Sequence, residues 1–359
     1  MKQKTVLFES WRGKYADSPR AISEALQKLR PDLKLVWVAD ESTRLPDGVA
    51  RVRRHTPEYF ARLYSCHYLI SNDVVSKHLV KGPRVRYLQT WHGTPFKTIG
   101  FDEEFRTYPG AAAHQKRLER DIKKWDYLLS PAPSSSDILR GAFRFDGELL
   151  ETGYPRNDIL KSAEAPRIRE EVRKELGLDP SALVVLNAPT WRDDSPHPDG
   201  KFTDPGVLDL DLLQKTTPAG TVILNRMHSV VKSAPPGRDG FTLDVSNYPD
   251  IAELYLAADV MVSDYSSAIF DFAVTGKPIV LFPYDLARYR DNVRGLYYDY
   301  EEWAPGTIVT DTESLGAALS NLEEGHRANA ERYRTFVSRF CPLDDGQASI
   351  RVVERVFGY

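Results

Sequence analysis

Two histidines stand directly after apolar runs, His92 in Thr90-Trp91-His92-Gly93-Thr94-Pro95 and His228 in Arg226-Met227-His228-Ser229. An imidazole can take a proton from an attacking hydroxyl near neutral pH, and once protonated it can steady a phosphoryl oxygen or a leaving group. A histidine at the end of a buried strand is well placed for either task, although a packed core histidine is the ordinary alternative for any one of them. A third segment offers different chemistry. Ser263-Asp264-Tyr265-Ser266-Ser267-Ala268-Ile269-Phe270-Asp271-Phe272 follows the apolar run Val260-Met261-Val262 and opens a helix whose Ile269, Phe272 and Ala273 recur at helical spacing. Free backbone N–H groups and a partial positive charge at such a corner suit a diphosphate. An ordinary serine N-cap at a strand-to-helix turn would read the same way.

Ligands of open α/β sheets sit beyond the carboxyl ends of strands, so polar motifs in that position carry the most weight. Besides the three above, Gly153-Tyr154-Pro155-Arg156-Asn157-Asp158 follows the run 148–152, and Ala188-Pro189-Thr190-Trp191-Arg192 follows 183–187. Trp91 and Trp191 could shape a binding cleft, or simply pack. His55, His67, His78, His114 and His326 lack such a setting. The irregular stretch 192–205, which holds His197, reads either as a mobile loop beside the site or as a solvated surface loop. No carboxylate cluster has convincing metal spacing, so no protein-bound metal is expected.

The elements that must position these residues alternate along the whole chain. Strands are expected at 5–8, 35–38, 68–70, 85–89, 127–129 and 148–152, then at 183–187, 221–225, 260–263, 279–282 and 308–309, with helices between them. This alternation predicts α/β architecture built from parallel sheets in two doubly wound units. A first domain is expected over 1–160, with Ser18-Pro19 capping the helix 18–29, a second over 161–340, and a closing helical tail over 341–359.

The 359 residues are 42% hydrophobic and 28% charged, as in a globular protein without a membrane span. The amino terminus reads as a first strand, not a secretory signal, and Cys66 and Cys341 read as separate thiols of a reducing compartment. Both features predict a cytoplasmic location. The net charge of −3 conceals a split, with 27 basic against 20 acidic residues over 1–160 and 21 against 31 in the remainder. The first half is therefore expected to face something anionic. Its basic residues gather at Arg51, Arg53 and Arg54, at Lys81, Arg84 and Arg86, and on the helical stretch 114–125, where Leu118, Ile122 and Trp125 share one face. Such a helix could lie on a membrane surface, or turn its apolar stripe to the core.

The segments 87–97, 153–158, 188–192, 263–267 and Asp291-Asn292-Val293-Arg294-Gly295-Leu296-Tyr297, with the closing 341–349, together resemble the CDP-glycerol glycerophosphotransferase family of teichoic acid and capsule polymer synthesis. The resemblance runs from about Trp91 to the carboxyl terminus. It implies a GT-B fold, two Rossmann-like domains facing a cleft, with the acceptor on the first and the donor on the second. It also implies that His92 and His228 are the two catalytic histidines. On that reading a hydroxyl of a lipid-linked or polymeric acceptor attacks the β-phosphorus of CDP-glycerol and CMP leaves. The donor's diphosphate and nucleotide would be held by Ser263, Asp264, Ser266, Ser267, Arg294, Arg226, Thr190 and Arg192. Trp91, Gly93, Thr94, Arg156, Asn157 and Asp158 would serve the acceptor. No organic cofactor and no nucleic acid partner are expected, while a peripheral contact with the inner face of the membrane is. The chain lacks a long segment that some polymerases of this family carry before the catalytic region, which leaves polymerase and primase both open. A CDP-ribitol donor, a nucleotide-sugar glycosyltransferase and a non-catalytic nucleotide-binding scaffold are the competing readings.

Overall fold

The computed structural model describes residues 3–103, 110–192, 207–227 and 237–359. They form two compact units, one of Met1–Thr94, Ala112–Ser162 and Pro342–Tyr359, the other of Pro95–Ala111 and Ala163–Cys341. The segment 95–111 thus belongs to the second unit, not to the first as its place in the sequence suggested, and the tail returns to the first.

The first unit holds a seven-stranded sheet of β1 (Thr5–Glu9), β2 (Lys34–Val38), β3 (Ala50–Val52), β4 (Tyr68–Ser71), β5 (Arg86–Gln89), β6 (Tyr127–Ser130) and β7 (Glu148–Glu151) in the order β3-β2-β1-β4-β5-β6-β7, every pairing parallel. The second holds β8 (Val184–Asn187), β9 (Val222–Asn225), β10 (Thr242–Asp244), β11 (Val260–Ser263), β12 (Ile279–Leu281) and β13 (Thr307–Ile308) in the order β10-β9-β8-β11-β12-β13, again all parallel. In each sheet the chain runs outward from a central strand to one edge and then returns to build the other half. This leaves a topological switch point between β1 and β4 in the first unit and between β8 and β11 in the second.

All the expected strands are present within two residues of their expected bounds. The two that the pattern missed, β3 and β10, are three-residue edge strands, Ala-Arg-Val and Thr-Leu-Asp, too short and too polar to show a period. The helix after β1 begins at Asp17 and takes Ala16 as its N-cap, so Ser18 lies inside it, buried, and not at the cap. The central strands are buried along nearly their whole length, as parallel strands covered on both faces must be. The first unit's core joins Val6, Phe8, Trp37, Ile70, Leu88 and Leu129 to Val352, Val353, Val356 and Phe357 of the closing helix Ala348–Phe357. Among the described residues no helix is long and apolar enough to cross a membrane. Cys66 and Cys341 are both buried and do not form a disulfide.

The basic helix Ala111–Ile122 packs its apolar stripe inward. Leu118 and Ile122, with Trp125 just beyond, are buried, while Lys116, Arg117, Arg120 and Lys123 stay exposed. Its Asp121 is buried as well and bridges to the strand before His92: Tyr87 Oη donates to Asp121 Oδ2 at 3.0 Å and Trp125 Nε1 to the same oxygen at 2.9 Å. Burial pushes the Asp121 carboxyl up to about 6, against the pull of those two bonds. An unfolded aspartate titrates near 3.9, so between about pH 4 and 6 the folded protein holds this proton more tightly than the unfolded chain. Asp121 therefore withdraws stability as pH rises through that window, by up to a few kcal/mol. Urea denaturation of wild type and Asp121→Asn at pH 4, 5, 6 and 7 should show the difference moving in the variant's favour up to pH 6 and then levelling. Parallel pH profiles would contradict the raised pKa of Asp121.

Candidate active-site residues

At the switch point of the first unit, β1 ends in the loop 10–17, β4 ends at Asn72 and Asp73, and the neighbouring β5 ends at Thr90. His92 is half-buried and its Nδ1 lies 2.5 Å from the main-chain carbonyl oxygen of Asn72. A carbonyl oxygen can only accept, so Nδ1 carries the proton and, in the neutral ring, Nε2 keeps its lone pair. Two indoles pack on the ring, Trp91 at 4.1 Å between centroids and Trp11 at 4.9 Å. Trp91 holds a left-handed backbone, φ 54°, fixed by its N–H donating to Gln89 Oε1 at 2.9 Å. Gly93 and Thr94, which follow His92, are buried.

Sequence reasoning missed most of this environment. Trp11, Asn72 and Asp73 follow β1 and β4, yet no motif marked them, since single polar or aromatic residues after a strand carry no spacing signal. His114 also lacked one. It sits in the basic helix, where burial and Arg117 lower its pKa, with His92 and Arg12 acting in the same sense and Asp73 against them. These groups are therefore electrostatic neighbours. Arg54 is not a surface cation: its Nε lies 2.7 Å from Glu9 Oε1 at the buried end of β1, and Tyr59 Oη donates to Glu9 Oε2 at 2.7 Å.

The Gly153–Asp158 motif, expected to serve the acceptor, makes a set of contacts within the first unit. Asp158 accepts the N–H groups of Ala348 and Ser349 at 2.9 and 2.8 Å, capping the closing helix, and Asn157 Nδ2 donates to Asp344 Oδ1 at 3.2 Å. Gly153 has φ 78° and lies where a Cβ would meet the Leu343 carbonyl at 2.4 Å, which only glycine allows. Arg156 is buried, its Nη1 3.3 Å from Asp17 Oδ1 and its guanidinium 3.9 Å above the Tyr154 ring. The motif thereby clasps the closing helix to the first unit.

In the second unit, β8 ends at Ala188-Pro189-Thr190 and β11 at Ser263-Asp264, the two sides of the switch point. Arg192 was expected to meet the donor's phosphates, but carboxylates take it instead. Its Nε and Nη2 each donate to Asp285 at 2.9 Å, and Nη1 to Asp264 Oδ2 at 2.9 Å and to the Thr190 carbonyl at 2.5 Å. Burial opposes its charge, yet Asp264 and Asp285 outweigh it and hold the pKa above the usual arginine value. Asp264 is scaffold too: Oδ1 accepts the N–H groups of Thr190 at 2.8 Å and Tyr265 at 2.6 Å. Ser263 Oγ donates to the Ala188 carbonyl at 2.7 Å, and Ser266 Oγ accepts the Ala268 N–H at 3.2 Å. Arg226 Nη1 donates to the carbonyls of Val245 and Tyr248, each at 2.6 Å. Arg294 Nη1 is 3.6 Å from Glu103 Oε1. Ser266 and Ser267 are half-buried, and Thr190 Oγ1 is buried with no partner in this structure. His228, His197 and the stretch 193–205 lie outside the described residues. No group of three or more His, Cys, Asp or Glu among the described residues is arranged to hold a metal ion.

The model of the CDP-glycerol:poly(glycerophosphate) glycerophosphotransferase family matches residues 1–358. A teichoic acid poly(glycerol phosphate) polymerase of Staphylococcus epidermidis is 37% identical over 97% of this chain, which spans only 50% of that protein's length. A teichoic acid glycerol-phosphate transferase of Staphylococcus aureus is also 37% identical, over 98% of this chain and 92% of its own. The ribitol-phosphate polymerase TarL of the same species is 30% identical over 76% of this chain and 47% of its own. Among solved structures, the wall teichoic acid polymerase TagF superposes with a TM-score of 0.90 at 36% identity, covering 99% of this chain and 89% of that one. The fold is accordingly the GT-B type of α/β architecture.

Removing Arg192 should be costly in a way that separates scaffold from ligand contact. Arg192→Leu leaves the buried carboxylate of Asp264 and the half-buried one of Asp285 without their cation, and a broken buried pair costs about 3–5 kcal/mol. Urea denaturation of the variant should show that loss. Wild-type stability in Arg192→Leu would overturn the scaffold role.

Proposed function

The chain belongs to the CDP-glycerol:poly(glycerophosphate) glycerophosphotransferase family, and we propose that it moves glycerol phosphate from CDP-glycerol to a hydroxyl of a lipid-linked or polymeric acceptor. The observation that carries this reading to a residue is the Asn72 carbonyl on His92 Nδ1, which leaves Nε2 as the basic atom. In the proposed step the acceptor hydroxyl gives its proton to His92 Nε2 while its oxygen bonds to the β-phosphorus. The bond from that phosphorus to the bridging oxygen breaks, and CMP leaves with the electron pair. His228 is the second histidine of the reading, suited to steadying the phosphoryl oxygens or the leaving group.

The donor's diphosphate is assigned to the corner Ser263–Ser267 with Thr190, whose hydroxyl is buried without a protein partner, and to Arg294. Arg192 supports that corner instead of touching the donor, since its hydrogen bonds go to Asp264, Asp285 and the Thr190 carbonyl, while Arg226 Nη1 is held by the Val245 and Tyr248 carbonyls. No metal or organic cofactor is proposed. Glycerol is favoured over ribitol because the glycerol-phosphate relatives share more of their sequence with this chain than the ribitol-phosphate polymerase does. Synthesis of teichoic acid or a related envelope polymer at the inner face of the cell membrane is the setting proposed.

Three measurements test this reading. His92→Ala and His228→Ala should each lower CMP release by a factor on the order of 10² or more with the fold retained. Near wild-type release by either variant at saturating substrate would remove that residue from the reaction. With CDP-glycerol and CDP-ribitol offered together beside a lipid-linked glycerol phosphate acceptor, CDP-glycerol should be consumed first, and preference for CDP-ribitol would reverse the donor assignment. Membrane contact should be electrostatic, because Leu118, Ile122 and Trp125 are packed in the core while Lys116, Arg117, Arg120 and Lys123 face outward, each worth about 1 kcal/mol near an anionic surface. Lys124 is excluded, its Nζ donating to the Leu79 carbonyl at 2.8 Å. Sedimentation with anionic liposomes should fall with salt and should be weakened by changing those four residues to Gln. Equal pelleting of both proteins would sink this helix as the docking element.

A further inference from the structure

Six described residues other than glycine have positive φ, and four of them are Trp11 (φ 45°) and Trp91 (φ 54°), which pack on His92, and Arg12 (φ 63°) and Asp17 (φ 63°) of the loop that carries Trp11. A left-handed backbone is unfavourable for a residue with a side chain, and such conformations persist where surrounding contacts over-determine them. In the loop 10–17 those contacts can be followed. The Gly13 and Lys14 N–H groups both donate to the Ser10 carbonyl at 2.9 Å. The Trp11 N–H donates to Asn72 Oδ1 at 3.1 Å, and its Nε1 to Asp17 Oδ2 at 3.2 Å. Asp17 Oδ1 in turn accepts the Ser18 N–H at 2.6 Å and faces Arg156 Nη1 at 3.3 Å.

Asn72 therefore holds both partners of the aromatic pair, His92 through its main-chain oxygen and Trp11 through its side-chain oxygen. One hydrogen bond at Nδ1 fixes the tautomer but leaves the imidazole free to swing about its own side-chain torsions. Two indoles against the ring remove that freedom, and Trp11 is itself held at three points, its N–H, its Nε1 and its ring. Arg156 has side-chain exposure of 4% and Asp17 of 8%, so this buried pair reaches the imidazole through Trp11 and not by touching a substrate.

We propose that Trp11 is a positioning residue for His92 and that Arg156 sets Trp11 through Asp17. This rests on the reading of His92 as the base. Loss of either residue should leave the Asn72 bond and the tautomer in place while the direction of Nε2 becomes variable, which slows proton transfer without touching donor binding. A misaimed base commonly costs tenfold or more in turnover.

The experiment follows CMP release from CDP-glycerol with a lipid-linked glycerol phosphate acceptor for Trp11→Ala, Trp11→Phe, Arg156→Met, Arg156→Lys and the double variant Trp11→Ala with Arg156→Met. Calorimetric titration with CDP-glycerol and the His92 ring signals in nuclear magnetic resonance accompany it. Trp11→Ala and Arg156→Met should each lower kcat at least tenfold, with the CDP-glycerol Kd within twofold of wild type and the His92 ring signals shifted or broadened. Trp11→Phe, which keeps a ring but loses the Asp17 bond, should fall between. Arg156→Lys should recover part of the loss by keeping a cation on Asp17, and it carries the test if Arg156→Met does not fold. The double variant should be no slower than Trp11→Ala, because both changes break one line of contacts. Additive losses would overturn the link through Asp17, and wild-type kcat in Trp11→Ala would overturn the positioning role. His92→Ala separates the two claims: if it still releases CMP at the wild-type rate, the base assignment itself has failed. If it is inactive while the Trp11 and Arg156 variants are not, only the present inference has.

Discussion

Parallel sheets buried on both faces leave a chain of this kind very few places to keep a polar group. β1, β8 and β11 are buried along nearly their whole length, so side chains that need water, a proton or an anion are pushed to the strand ends. All the strands of each sheet point the same way, and their carboxyl ends collect along one edge. Where the order reverses, between β1 and β4 and between β8 and β11, the connecting loops diverge and backbone groups face open space. His92 stands one strand away from the first reversal and is hung from Asn72, which follows β4. The corner Ser263–Ser267 stands at the second.

Burial also decides what the cations do. Arg192 sits among Asp264, Asp285 and the Thr190 carbonyl, and the arrangement stabilises the fold only because every one of its groups is satisfied. A buried ion pair of this kind adds little net stability over an apolar filling, but it fixes direction: Asp264 is held so that its other oxygen takes the N–H groups of Thr190 and Tyr265. The loops after β8 and β11 are thereby locked to each other at the place assigned to the donor. Rigid backbone at a phosphate site is worth more than another mobile cation, because donors already aimed at the developing charge need not reorganise.

The sheet strands were legible in the sequence because an apolar run of four or five residues is visible at any position, and the motifs after them could be found by looking just past each run. Two kinds of information were not. Edge strands such as β3 and β10 lack the run, being three residues long and half exposed. And a residue type after a strand says nothing of which way its side chain turns. Arg192 and Arg226 read as cations for the donor's phosphates and Arg156 as an acceptor contact, and nothing in the sequence showed that their side chains would also bond to carboxylates or carbonyls. Asn72 and Trp11 read as nothing, because one acts through its main-chain oxygen and the other through packing, and neither role leaves a spacing. The helix 111–122 shows the same ambiguity resolved: its stripe of Leu118 and Ile122 suits a membrane or a core equally by period, and the core took it.

The first unit is also not a stretch of chain that could be cut out at residue 160. Val352, Val353, Val356 and Phe357 complete its core, and Arg351 Nε donates back to the Thr152 carbonyl at 2.9 Å. Asp158 caps the helix that carries them, and Asn157 binds Asp344, so the turn holding Arg156 takes its shape from residues nearly two hundred positions later. From Arg156 the contacts continue to Asp17, to Trp11 and to the face of His92. The helix Ala348–Phe357 thus fixes the far end of that line. The four residues Pro155-Arg156-Asn157-Asp158 divide between two tasks: proline starts the turn and arginine faces Asp17, while asparagine and aspartate hold the returning chain.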